Sequence, residues 1–502
     1  MVPRAGAARA EDVHISRSDR AARGFSSLRN LGVLAVLACS VALPAGCAGR
    51  LRADDRTRSE AGLGGAAATL LAEAIRVRTV NPPGDELPLA ELLVDFAREA
   101  GLEAQVVPTP AGKSKVGRAA AWARLAGRGR DRPVVLLSHL DVVPADPGGW
   151  AVDPFQGLVA GGYVMGRGAL DAKGLAITHL LALTELARRD ASLTRDVIFL
   201  AVPDEETGGR DGAGFLVRKR RDLIGDAEFL LAEGGGILAA DTGSANVWGV
   251  AVAEKAPCWT RLTAKGTSGH ASTGGLHGPV PRLVSALERV RRLQTEVRVV
   301  PDVERMFAAL APLGEPEDRA GLATLGAALE TDPAFRRRFL ADEARAALVR
   351  TTIAITVLRA GTSPNVVPEE ARAELDVRLL PGDRCDDFLE GLREVIADPS
   401  IRIEPILAFE SKSSPADTAL FRAIRAVARD IDPGALVVPR VIAGFTDAHY
   451  FRELGVVSYG FVPRWLPPSE TRGVHGVNER VSVDNLERGV EATIRILEEL
   501  GR

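Results

Sequence analysis

Between Val134 and Leu231 short apolar runs alternate with segments of helical spacing, and this alternation narrows the fold more than any other feature of the chain. Val134–Leu137, Val197–Val202 and Phe229–Leu231 read as buried strands, Gly174–Arg188 and Gly212–Arg221 as helices. Strand and helix in regular succession predict a parallel sheet with helices on its faces. Such a sheet collects ligands at the carboxyl ends of its strands. Each of the three strands delivers a metal-compatible side chain where it stops. The first gives His139 followed by Asp141. The second gives Glu205 and Glu206 in Pro203-Asp204-Glu205-Glu206-Thr207, and the third gives Glu233 ahead of Gly234-Gly235-Gly236.

Residues two apart on an extended strand face the same way. Asp141 can therefore orient the ring of His139 from behind while the ring's free nitrogen takes a metal. Adjacent Glu205 and Glu206 can divide two tasks, one binding metal and the other removing a proton from water. Gly166-Arg167-Gly168-Ala169-Leu170-Asp171-Ala172-Lys173-Gly174 presents Asp171 just before a long helix. Alone, Asp171 reads as a helix N-cap; among the other donors, its two oxygens suit a bridge between ions ~3.5 to 4 Å apart. His475, in the loop before the final helix, is one of only 7 histidines. Alone it reads as a solvated side chain, and its scarcity sets it beside the other donors.

At 502 residues the chain is too long for one ordinary core, so two domains are expected. After Trp248 the pattern changes. Val250–Ala253 and Thr260–Ala264 read as adjacent strands, Pro281–Val297 as a helix, Thr352–Leu358 and Ala371–Leu379 as strands, Asp386–Ile396 as a helix and Ile401–Leu407 as a strand. That order predicts an antiparallel sheet with helices on one face. The expected fold is thus an α/β domain (66–248 and 411–502) carrying an inserted α+β domain (249–410), with a helical insertion of its own at 301–350. Charge excludes one class of partner. With 63 basic and 66 acidic residues, net charge −3 and no block of one sign, nothing points to nucleic acid.

The N-terminal end has the layout of an export signal. Arg20, Arg23 and Arg29 precede the apolar stretch Leu31–Leu43, which is shorter than the roughly 20 residues of a membrane span. Pro44-Ala45-Gly46-Cys47 resembles a lipoprotein cleavage site, and Cys39 is a second, poorer candidate. The expectation is an exported protein, lipid-anchored in the cell envelope, with a cleaved soluble form or an uncleaved anchor as alternatives. Residues 50–65 read as a tether. Cys258 and Cys385 read as buried or free thiols, a pair between them being the other reading.

In this order, His139-Leu140-Asp141, Asp171-Ala172-Lys173-Gly174, Glu205-Glu206, Glu233 and His475 resemble the aminoacylase and carboxypeptidase family of dinuclear zinc hydrolases, from about residue 66 to the C-terminus. The resemblance implies one zinc on His139 and Glu233, a second on Glu206 and His475, and Asp171 bridging, with Co2+ or Mn2+ as substitutes. It makes Glu205 the general base and Asp141 the orienting carboxylate. Gly266-Thr267-Ser268-Gly269-His270-Ala271-Ser272 resembles the family's lid motif, whose histidine stabilises an oxyanion, often across a dimer. Ser363-Pro364-Asn365-Val366-Val367-Pro368 and Asp376-Val377-Arg378 resemble the stretches whose Asn and Arg hold the substrate, including its carboxylate. The insertion is most similar to the carboxypeptidase S branch and relatives acting on N-fatty-acyl amino acids. The implied activity is cleavage of the amide before a free C-terminal amino acid, in a dipeptide or an N-acyl amino acid. Deacetylase, desuccinylase and aminopeptidase chemistry are the alternatives within the family, and a binding protein that has lost catalysis is the alternative outside it.

Overall fold

The computed structural model describes residues 55–239, 245–466 and 473–502, with side chains from Gly62 onward. The leader, with Cys39 and Cys47, lies outside the described residues. Among those described, no helix is long and apolar enough to cross a membrane.

The large sheet has eight strands, in the order Glu103–Pro108, Ala119–Leu125, Arg195–Val202, Asp131–His139, Phe229–Leu238, Val457–Leu466, Val247–Glu254 and Leu436–Ile442. Its four central strands run parallel to one another. The hairpin Glu103–Leu125 extends one side antiparallel, and Val247–Glu254 joins the other side antiparallel. Apolar residues run almost unbroken along the inner strands because both faces are covered. On the strand Asp131–His139, Val134 and Leu136 enter a core under the helices Lys173–Arg188 and Val483–Leu500, while Val135 and Leu137 enter the opposite core under Ala213–Lys219.

A second sheet of four antiparallel strands, Thr352–Arg359, Glu370–Leu379, Ala256–Lys265 and Ile401–Ala408, forms the lid. Alternate residues of Glu370–Leu379 are buried, and Leu375 and Val377 pack on Leu283 and Leu389 from the helices Pro279–Arg292 and Cys385–Ile396. This is the mixed α/β architecture expected, with a mostly parallel central sheet.

Several expectations need correcting. Val250–Ala253 does not open the lid. It belongs to the large sheet, and the change of sheet falls at Lys255, between Val247–Glu254 and Ala256–Lys265. The helical insertion follows lid sequence but packs elsewhere. Val303, Met306, Phe307, Phe335 and Phe339 join the core of the large domain beside Trp248 and Val438. The buried ammonium of Lys255 fastens it there, donating to the carbonyls of Ala347 and Arg350 and to the Thr352 hydroxyl at 2.8, 2.8 and 3.1 Å. Part of the expected tether is helical, since Asp55–Arg76 is helix with a break at Gly62. Cys258 and Cys385 are not free thiols: they form a disulfide with a Cα–Cα distance of 5.4 Å. Strand and helix meet there across a sequence separation of 127, an adjacency that only the folded chain creates.

Candidate metal centre

His139 ends its strand with the ring buried, and three carboxylates surround it. Its Nε2 lies 3.0 Å from Asp171 Oδ1 and 3.6 Å from Glu233 Oε2. The second oxygen of Asp171 faces the other histidine: Asp171 Oδ2 is 3.0 Å from His475 Nε2, which is 3.2 Å from Glu206 Oε2. One carboxylate thus stands between two imidazoles, each with a further glutamate. The five side chains come from five places in the chain, each more than 25 residues from the next.

Asp141 acts in a different way from the one its spacing suggests. The closest partner of His139 Nδ1 is the main-chain carbonyl of Asp141 at 2.9 Å, with the carboxylate at 3.6 Å. That carboxylate instead accepts the backbone N–H groups of Glu205 and Glu206 at 3.2 and 3.1 Å and the amide of Asn81 at 2.8 Å. It fixes the turn that carries the two glutamates. The turn begins at Asp204, at φ 81°, whose side chain is held by Thr207, by the Asp211 N–H and by Arg118. Glu233 likewise sits differently: its strand does not stop but continues to Leu238, kinked at Gly234 with φ 109°. A Cβ at Gly235 would fall about 2.2 Å from the Gly460 carbonyl, so the glycines let three strands crowd together beside the carboxylate.

Asp171 is positioned by a residue that sequence reading passed over. Fully buried Glu479 accepts the N–H groups of Gly168, Leu170 and Asp171 at 3.1, 2.7 and 3.1 Å, and pairs with Arg167 at 2.6 Å. Its only sequence signal was its place four residues after His475. Asn81 had none beyond the Asn-Pro pair it begins. Asp447 borders a small cavity with Thr446, His139, Glu205 and Glu233.

The charges explain what the cluster needs. Burial opposes a charge on His139, but Glu233, Asp141 and Asp171 overcome it and raise its pKa well above the usual value. Hydrogen bonds to Asp171 and Glu206 push His475 up to about 10. Burial raises Asp171 less than the two histidines lower it, so its carboxyl stays ionised far below the usual range. Glu205 moves the other way, held well above the usual carboxylate range by burial and by Glu233. Carboxylates are packed here more densely than local cations can neutralise, and among the described residues Glu206 Oε1 is buried without a partner. A donor set of imidazole nitrogens and carboxylate oxygens around uncompensated negative charge fits divalent first-row ions. His139, Asp171 and Glu206 form one group able to hold an ion, and His139, Glu205 and Glu233 another.

A match to the peptidase family M20/M25/M40 spans residues 135–499, from the strand of His139 through the final helix. The chain belongs to this family. Its catalogue of relatives agrees: the N-fatty-acyl-amino acid synthase/hydrolase PM20D1 of Xenopus tropicalis is 30% identical over 376 residues, covering 73% of this chain and 72% of the relative. Aminoacylase-1 of Mus musculus is 26% identical over 445 residues, covering 86% and 94%. Among solved structures, an M20 family metallo-carboxypeptidase of Sulfolobus solfataricus superposes with a TM-score of 0.68 at 19% identity, over 87% of this chain and 99% of that one. Human carnosine dipeptidase 1 gives 0.61 at 17%, over 89% and 97%. The protein is therefore an M20 hydrolase, of a family of dinuclear metal peptidases.

The lid side chains stand apart from this M20 centre. His270 and Asn365 are exposed neighbours, linked through the Ala271 N–H to the Asn365 carbonyl at 3.0 Å, and His270 Nδ1 bonds Ser272 Oγ at 2.7 Å. Arg378 pairs with Asp376 at 2.6 Å and lies 4.8 Å from the Phe445 ring, one residue before Thr446-Asp447. Among the described residues no hydrogen bond or ion pair joins His270, Asn365 or Arg378 to the His139 cluster. Of the remaining histidines, His179 and His449 are buried and His277 is exposed on the lid.

Proposed function

We propose that this M20 chain hydrolyses the amide bond between an acyl group and a free C-terminal amino acid, with N-acyl amino acids as the leading substrates and dipeptides as the second class. The observation that carries the reading is Asp171, set between His139 and His475 with Glu233 and Glu206 beyond them and the high-pKa carboxyl of Glu205 alongside. His139 with Glu233 would hold one zinc and His475 with Glu206 the other, Asp171 touching both. Bound there, the ions supply Lewis acidity towards an amide carbonyl and a lowered pKa for water.

The protein's own groups do the rest. A general base works best with a pKa near the working pH, and burial beside Glu233 moves Glu205 towards it. Glu205 takes the proton from the attacking water and returns it to the departing amine. Asp141 holds the Glu205 backbone in place for both transfers. His270 would stabilise the developing oxyanion, and Asn365 with Arg378 would hold the carboxylate of the amino acid. Because His270 is exposed in the single chain, the reading includes lid closure or a second copy that brings such a histidine to the centre. The names of the similar relatives support the substrate class, and the Cys258–Cys385 disulfide supports an exported protein, since such bonds persist in oxidising compartments.

Release of free amino acid from mixed N-acyl amino acids and dipeptides, read by mass spectrometry on zinc-loaded protein, tests the proposal. The expected result is release that vanishes in Glu205→Gln with zinc retained. Release that survives this substitution removes Glu205 as the base. No release at all overturns the activity and favours a binding protein.

A further inference from the structure

Next to the metal centre, a cavity of about 310 Å³ opens between Asp171 and Glu233 on one side and Arg440 on the other. Its wall is aliphatic, with Leu170, Leu175, Ile237, Leu238 and Val462 among the lining residues, and no lid residue reaches it. Two guanidinium groups interrupt this surface. Arg464 is committed, donating to the carbonyls of Leu170 at 2.8 Å and Ala169 at 3.4 Å. Arg440 is not: among the described residues it makes no hydrogen bond or ion pair, and burial alone lowers its pKa, with no carboxylate to raise it.

The path of the Arg440 side chain is specific. From the edge strand Leu436–Ile442 it crosses the neighbouring strand at Gly249, where a Cβ would come within 2.2 Å of Arg440 Cδ. Gly249 in turn pairs with Gly236, three residues past Glu233. A side chain at 249 would block the crossing, and a larger residue at 236 would narrow the space into which the arginine points. Two bare backbone positions thus let a cation with no partner among the described residues lie along the aliphatic wall of a cavity that ends at Asp171 and Glu233.

We infer that Arg440 receives a carboxylate at the far end of the acyl group, so that this enzyme prefers aliphatic acyl chains that terminate in an anion. The inference rests on the proposed reaction, in which the lid takes the carboxylate of the amino acid and leaves this cavity to the acyl half. An aliphatic chain ending in methyl would cover the guanidinium without pairing it, and an unpaired buried charge is costly. A chain ending in carboxylate fills the same wall and completes a charge-assisted pair.

The test compares N-adipoyl- with N-hexanoyl-phenylalanine, chains of equal length that differ in the terminal carboxylate. For the native protein kcat/KM should favour the adipoyl compound by roughly tenfold or more, the worth of one hydrogen bond to a charged group. Arg440→Met should reverse that preference, and Arg440→Lys, which keeps the charge, should retain part of it. A native preference for the hexanoyl compound, or a ratio that Arg440→Met leaves unaltered, overturns the inference and leaves the amide hydrolase standing. Calorimetric binding of both compounds to zinc-loaded Glu205→Gln protein, with and without Arg440→Met, reads the cavity independently of turnover. If neither compound is cleaved the proposed reaction fails, while tighter binding of the adipoyl compound that depends on Arg440 still upholds the site, and equal binding rejects it.

Discussion

The carboxylates of the metal centre and the polar side chains of the lid are built to different standards. Asp141 spends its oxygens on two backbone N–H groups and an asparagine, and Glu479 spends its own on three N–H groups and an arginine, all within the protein interior. His270 and Asn365 are exposed, each with its side chain bonded to a nearby serine, and the Asn365 carbonyl accepts only from the Ala271 N–H among the described residues. The contrast follows from where precision is needed. Ligands that hold multiply charged ions are effective only when their directions are fixed beforehand. In the proposed reaction the lid groups would meet the substrate only after it arrives, and exposed, lightly bonded segments are the ones free to move.

Substitutions can break this contrast, beginning with the largest effect. Asp171→Ala removes the group between the two histidines, so elemental analysis should show loss of at least one ion per chain and activity should fall below detection; full metal content would reject Asp171 as the shared ligand. His270→Ala should lower kcat by about 10² to 10³ with metal content and melting temperature intact, as expected for loss of one oxyanion donor. A variant that instead lost metal would make the lid part of the centre. Glu479→Gln keeps the shape but weakens the cradle under Asp171, so metal affinity measured by competition with a chelator should drop about 10- to 100-fold.

The smallest effect separates two buried histidines. His139 is ringed by carboxylates, whereas His179, on the helix Lys173–Arg188, has no partner among the described residues for either ring nitrogen and is pushed down to about 3 by burial. Between that value and the ordinary 6.5 the unfolded chain binds more protons, so stability falls as pH falls through the window. His179→Leu should remove up to about 1.4 kcal/mol per pH unit from that decline. Chemical denaturation at pH 5 and 7 measures it, and an unchanged difference between the two would show that His179 is not the source.

Much of the candidate centre was legible because most of its donors follow strands whose apolar runs are unmistakable. His139, Glu205 and Glu206 come after such runs, and Asp171 precedes a long apolar helix. Their supports were not legible. Glu479 and Asn81 lie in loops, and nothing local distinguishes a carboxylate that will be buried under three N–H groups from one that will face water. The hairpin Glu103–Leu125 went unread because its alanines and charges carry little strand signal; it forms by pairing with Arg195–Val202. Glu233 was found for a reason that was only partly right, since Gly234–Gly236 reads as a strand's end but serves as a kink within it.

Local sequence determined the alternation of strand and helix, the two-sheet division and the donors at the strand ends, because periodicity and the residues that stop a strand are written within a few neighbours. Tertiary structure alone decided the rest. It moved Val247–Glu254 into the large sheet and laid the insertion on that sheet's core instead of the lid. It joined Cys258 to Cys385, and it left Arg440 beside Asp171 and Glu233 with no partner among the described residues. Each of these depends on which distant segments become neighbours, and that is set by the packing of whole faces against one another.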